Sequence, residues 1–100
     1  MSVVFALATP PAKSAICIFR VSGPGCHKGL RLLTNKSGFE HGRFFLSSIF
    51  DKGSLVDRAG LVVFEGPNSY TGEDSFEVYA HGGLGVMASI VGAFKGVGFD

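Results

Sequence analysis

The sequence predicts a two-layer α+β sandwich: a mixed or antiparallel sheet of about five strands, with two helices on one side. Three observations carry this. Five short runs rich in β-branched and aromatic residues alternate with turn residues. Two longer stretches repeat apolar residues at helical spacing. An Asp-x-Gly turn joins two of the strand-like runs, which marks a hairpin and hence antiparallel pairing. At 100 residues there is room for one core, so residues 1–100 are read as one domain.

The elements follow in order. Residues 2–8, SVVFALA, are apolar and β-forming, and TPPAKS (9–14) breaks the run because Pro10 and Pro11 cannot donate ladder hydrogen bonds. Residues 15–23 form a second strand. Ile16, Ile18 and Arg20 share one face; Ala15, Cys17, Phe19 and Val21 share the other. Residues 22–35 read as a helix, with Ser22 or Gly23 as cap and Pro24 in the first turn. Cys26, Leu30 and Leu33 make its apolar face. A hairpin spans 43–50, the turn 51–54 and the return 55–65. Residues 75–80 form the fifth strand, with Phe76, Val78 and Ala80 on one face and Ser75, Glu77 and Tyr79 on the other. Residues 82–98 form a second helix on the row Val86, Ile90, Phe94, widened by Met87 and Val91. Gly92 inside that helix implies close packing or a frayed end.

Composition narrows the function classes. Charged residues are 17% and hydrophobic residues 46%, a folding composition rather than a disordered one. The formal net charge of +1 gives no bulk attraction to nucleic acid or anionic lipid. Cys17 and Cys26 form no CxxC pair and read as reduced core thiols of a cytoplasmic protein. The N-terminal segment lacks the basic region of a signal peptide, and nothing approaches the ~20 apolar residues of a membrane span. His27, His41 and His81 lack metal-ligand spacing, so no metal site is expected. No P-loop occurs, and no catalytic triad follows from spacing.

Gly83-x-Gly85-x-x-Ala88 has the form of a dinucleotide fingerprint. The fingerprint also requires a returning parallel strand with an acid about 20 residues on, which this sequence does not reach. A glycine-rich helix start packed on the sheet explains the same residues.

Two charges stand out because each falls within an apolar strand: Arg20 and Glu77. A charge on a sheet face needs water or a partner. Either both faces are solvated, or the two pair with each other, or they form a pocket for a ligand with a donor pair and an acceptor. Just before Glu77 lies an unusually long polar loop, 66–74, where turns commonly need two to five residues.

The segments ALATPPAKSAICIFRVSG (6–23) and GPNSYTGEDSFEVYAHGG (66–83) resemble the N-terminal domain of the tRNA-modification GTPases of the MnmE/TrmE family. The family pattern runs A-x-A-T-P-P-G-x-G-x-x-x-I-x-R-I/V-S-G, then G-P-x-S-F/Y-T-G-E-D-x-x-E-x-x-x-H-G-G. The resemblance covers essentially the whole chain and is weakest from about 34 to 60.

The resemblance implies the tetrahydrofolate-binding fold shared with glycine-cleavage aminomethyltransferases. It implies 5-formyltetrahydrofolate or 5,10-methylenetetrahydrofolate as a bound one-carbon source. It implies a homodimer and, in the full enzyme, a GTPase domain using GTP, Mg and K. A flavin-dependent partner protein then acts with it on the wobble uridine of tRNA, at C5. The family's folate-contacting arginine falls on Arg20 and its glutamate on Glu77. Asn68, Ser69, Tyr70, Thr71, Gly72, Glu73 and Asp74 are the loop that supports the site. No catalytic residue is assigned: the P-loop and the family's C-terminal cysteine lie outside this sequence, so the chain alone is expected to hydrolyse no GTP and modify no tRNA. Ala12-Lys13-Ser14 depart from the family's Gly-x-Gly, and a further family contact segment, N-x-K-L-D, is not reached. A dimerisation-only module and an aminomethyltransferase-like fragment are the alternatives.

Overall fold

The computed structural model describes residues 2–9 and 15–100. The proline break and the Ala12-Lys13-Ser14 departure expected at 10–14 lie outside the described residues. The five strands are β1 (Val4–Leu7), β2 (Ile16–Ser22), β3 (Phe45–Asp51), β4 (Ser54–Phe64) and β5 (Ser75–His81). The helices are α1 (Cys26–Thr34), between β2 and β3, and α2 (Leu84–Gly96), after β5. The strands form one sheet in the order β1-β2-β5-β4-β3, and every neighbouring pair is antiparallel. The α+β sandwich read from the sequence is therefore the observed architecture, with the sheet antiparallel rather than mixed.

Strand alternation sets the two faces. Cys17, Phe19 and Val21 of β2, Phe76, Val78 and Ala80 of β5, and Ala59, Leu61 and Val63 of β4 are buried. They meet Cys26, Leu30 and Leu33 of α1 and Met87, Ile90, Ala93 and Phe94 of α2. Phe94 sits at the centre, with its ring 5.1 Å from Phe5, 5.5 Å from Phe19, 5.7 Å from Phe99 and 6.3 Å from Phe76. The opposite face carries Ile16, Arg20, Glu77, Tyr79 and Leu46, and no helix among the described residues covers it.

The β3–β4 hairpin turns at Lys52 and Gly53, both at positive φ (50° and 84°). That is the primed turn whose twist matches the flanking strands, and it explains the Asp-x-Gly signal. The segment after α2 returns to the sheet edge. The Phe5 N–H donates to the Asp100 carbonyl, and the Asp100 N–H donates to the Val3 carbonyl.

Two expectations shift in detail. Helix α1 begins at Cys26 rather than near residue 22, because Ser22 remains in the ladder, paired with Val4 and Ser75. Gly23 and Gly25, at φ 145° and 80°, then make the turn into the helix. Gly92 is neither tightly packed nor frayed. It is exposed in the body of α2, and a Cβ there meets only Asp51 Oδ2, at 3.9 Å. Gly92→Ala is therefore expected to stabilise the protein by about 0.5–1 kcal/mol. An unchanged or lowered urea midpoint would count against this placement.

Both cysteines are free and buried. Burial, reinforced by the nearby negative charge of Asp74, pushes the Cys26 thiol up to about 12. An unfolded thiol ionises near pH 8.5. The folded chain thus holds a proton that the unfolded chain releases. The resulting stabilisation is complete below about pH 8.5 and is lost as the pH rises towards 12. Thermal midpoints measured from pH 7 to 11 are expected to fall more steeply for the wild type than for Cys26→Ala. Parallel slopes would contradict the assignment.

Candidate functional site

Arg20 and Glu77 are direct cross-strand partners in the β2–β5 ladder. Both side chains project from the helix-free face, and the Arg20 Nε–H donates to Glu77 Oε2 at 2.9 Å. The arginine side chain is 62% exposed and the glutamate 20%. Neighbouring Glu77 raises the affinity of the Arg20 guanidinium for its proton, first through the hydrogen bond and then through charge. On the other carboxylate oxygen, Oε1, the Tyr79 hydroxyl donates at 2.8 Å. That bond, followed by partial burial, raises the pKa of Tyr79. The Glu77 carboxylate is thus held from two sides, with its orientation fixed.

Beside this pair lies a hollow of about 480 Å³. Arg20, Glu77 and Phe64 line it from the sheet, and Pro67, Asn68, Ser69 and Tyr70 line it from the loop. The loop is tied down along its length. The Gly66 N–H donates to Asp74 Oδ1 at 3.0 Å, and the Gly72 N–H to the Ser69 carbonyl at 3.3 Å. The Ser69 hydroxyl donates to the Glu73 carbonyl. The hydroxyls of Ser22 and Thr71 share a hydrogen bond of 2.6 Å, which joins the loop to β2. The Glu73 N–H points to Thr71 Oγ1 at 3.4 Å.

Two glycines are structural requirements of this loop. Gly72 sits at φ 80°, a region L side chains rarely adopt. A Cβ on Gly66 comes within 2.7 Å of the Gly72 carbonyl oxygen and 2.9 Å of the Glu73 carbonyl carbon. The two ends of the loop cross there with no space for a side chain. The peptide between Gly66 and Pro67 is cis.

A second layer supports the loop from behind. His27 Nε2–H donates to the Ser75 carbonyl at 3.1 Å, with Nδ1 3.8 Å from Asp74 Oδ2. The Asp74 carbonyl accepts from the Gly23 N–H at 3.0 Å. The start of α1, the loop and β5 are thereby linked.

The structure thus brings the two residues singled out in the sequence together with Asn68, Ser69 and Tyr70 beside one hollow, whereas Thr71, Gly72, Glu73 and Asp74 do not line it and serve to tie the loop down. The pairing of the two charges, one of the readings open at the sequence level, is present; it sits at the edge of the hollow rather than replacing it. Sequence reasoning missed three contributors. Tyr79 was legible, since it lies two residues after Glu77 and shares its face. Phe64 reaches the site through the β4–β5 register and His27 through helix packing, and neither signals that in the local sequence. The Gly83-x-Gly85-x-x-Ala88 stretch opens α2 after an antiparallel strand, so the parallel βαβ frame of a dinucleotide site is not formed. Among the described residues no group of three or more His, Cys, Asp or Glu could hold a metal ion, and no helix is long and apolar enough to cross a membrane.

The chain is thus an antiparallel α+β sandwich with one open face and a charged pair beside a loop-walled hollow. The family described as "GTP-binding protein TrmE N-terminus" matches residues 3–99, and the chain belongs to that family. Curated relatives agree. The chain is 40% identical over 96 residues to a tRNA modification GTPase MnmE of Phenylobacterium zucineum, covering 95% of this chain and 21% of the relative. It is 36% identical over 99 residues to the protein of that name from Jannaschia sp., covering 98% and 23%. It is 33% identical over 90 residues to that of Thermosipho melanesiensis, covering 90% and 20%. The chain spans about a fifth of the length of the curated relatives it matches.

Proposed function

We propose that this chain is a tetrahydrofolate-binding and dimerisation module of a tRNA-modification GTPase. The observation that carries the folate reading is the convergence of Arg20 and Glu77 at the rim of one hollow. A pterin offers a 2-amino group and a ring N–H side by side. A carboxylate accepts two parallel hydrogen bonds from such an edge, and the Arg20 guanidinium donates to a carbonyl or to a carboxylate tail. The residues present fit the group. Glu77 is preset by its two donors, the hollow is within the ~300–1,000 Å³ range of small-molecule sites, and Phe64 and Tyr70 supply aromatic surface.

A bound formyl- or methylene-tetrahydrofolate supplies the one-carbon unit. This chain's own residues bind and orient it: Glu77 and Arg20 fix the ring or its tail, and the 66–74 loop forms the wall. In the longer protein, a GTPase domain with GTP, Mg and K, a flavin-dependent partner and tRNA complete the wobble-uridine chemistry in the cytoplasm. Isothermal titration with 5-formyltetrahydrofolate tests the reading. Saturable heat is expected, and a flat titration of folded protein overturns binding by the isolated chain.

The helix-free face favours a second role. It exposes Ile16 (54%), Leu46 (57%) and Phe44 (56%), and apolar surface of this kind marks association sites. A homodimer closing over this face is the expected assembly. Sedimentation at two concentrations tests it: a dimer that gives no ligand heat supports dimerisation alone, and a monomer throughout removes the assembly role.

A further inference from the structure

The reading above uses Tyr70 as aromatic surface at the wall of the hollow without assigning it a defined contact to the ligand. Tyr70 is 95% exposed, the highest value among the large apolar side chains of the described residues. Water around a whole aromatic ring is unfavourable, and a flat ligand laid on the ring would remove that cost. Packing within the chain does not cover it, since the side chain stays 95% exposed. Its recorded ring contact is with the Arg20 guanidinium, 5.9 Å from the ring centre.

The backbone that presents Tyr70 is anchored immediately before and after it. Ser69 bonds the Glu73 carbonyl, and Thr71 bonds Ser22. Tyr70 lines the 480 Å³ hollow together with Phe64 and Glu77. It also lines an adjoining cavity of about 50 Å³ with Phe64 and Phe76. Glu77 reaches only the edge of a flat heterocycle. The faces of such a ring need separate cover, and an aromatic side chain provides it with little loss of side-chain freedom.

We propose that Tyr70 is a stacking residue of this site, covering the flat face of a heterocycle whose N–H and NH2 edge is held by Glu77. The inference rests on the folate reading and adds a direct contact to it. In a reduced pterin the pyrimidinone half stays planar, and that half is the surface Tyr70 takes. The ring moves from the Arg20 guanidinium onto the ligand, while Arg20 keeps its bond to Glu77. No covalent step is involved.

The chain contains two tyrosines and no tryptophan, so 13C-labelled tyrosine gives two sets of ring signals, and Tyr70→Phe assigns them. Wild type, Tyr70→Phe and Tyr70→Ala are titrated with 5-formyltetrahydrofolate by calorimetry and by NMR. Tyr70→Phe is expected to bind like wild type. Tyr70→Ala is expected to weaken binding on the order of tenfold, with an unchanged thermal midpoint. The Tyr70 ring signals are expected to move upfield as ligand is added. Equal affinity of wild type and Tyr70→Ala overturns the stacking role and leaves the Glu77 reading standing. Weakened binding with an unshifted Tyr70 ring assigns the loss to Arg20 and also overturns it. A wild type that does not bind removes both readings.

Discussion

Glu77→Ala is expected to abolish measurable binding of 5-formyltetrahydrofolate while leaving the protein folded. Removing a hydrogen-bonded carboxylate from a ligand's donor edge costs about 3 kcal/mol, roughly a hundredfold in Kd. Glu77→Gln separates charge from shape. The amide keeps one acceptor but presents an NH2 where the pterin edge also presents a donor, so it is expected to bind nearly as poorly as the alanine variant. The fold tolerates both changes because the Arg20–Glu77 pair lies on the open face, outside the core. Titration calorimetry read beside circular dichroism checks the prediction. Wild-type affinity in Glu77→Ala would remove this carboxylate from the site.

The second large effect is on stability. Phe94→Ala is expected to cost about 3–5 kcal/mol, the range for deleting a fully buried aromatic ring. Domains of this size have only about 5–15 kcal/mol in total. At about 4–8 °C per kcal/mol for a chain of this length, the thermal midpoint falls by tens of degrees or folding fails. The reason is position. Phe94 is fully buried, and its ring meets Phe5 of β1, Phe19 of β2, Phe76 of β5 and Phe99 of the returning C-terminal segment. Phe19 precedes Arg20 and Phe76 precedes Glu77, each projecting to the opposite side of its strand. The same α2 contact that holds the sheet therefore fixes the strands that carry the site. Phe94→Leu is expected to lose much less than the alanine variant. A Phe94→Ala midpoint within a few degrees of wild type would contradict the packing described.

The fold was largely legible because each element had its own local signal. Period-2 alternation placed Cys17, Phe19 and Val21 inside and Arg20 outside, and the burial agrees. Helical spacing found Cys26, Leu30 and Leu33. Boundaries were less legible where two rules competed. Ser22 is a good helix cap by type, but its ladder partners keep it in β2. Strand order was not legible, since nothing in a single strand states that β5 lies between β2 and β4.

The candidate site divides along the same line. Arg20 and Glu77 stand out as charges in apolar strands, and the resemblance places the family's two contacts on them. Their direct pairing depends on the β2–β5 register, which only the folded sheet reveals. Phe64 arrives from β4 by the same route, and the crossing of Gly66 over Gly72 and Glu73 is a tertiary contact without a sequence signature.

The most direct test of the central claim is amide chemical-shift mapping of the 15N-labelled chain during titration with 5-formyltetrahydrofolate. Folate in the hollow formed by β2, β5 and the loop moves the amides of Arg20, Glu77 and residues 66–74 most, and saturably. The largest shifts falling instead around Lys28, Gly29 and Phe99, on the far side of the molecule, or no shifts at all, would contradict it.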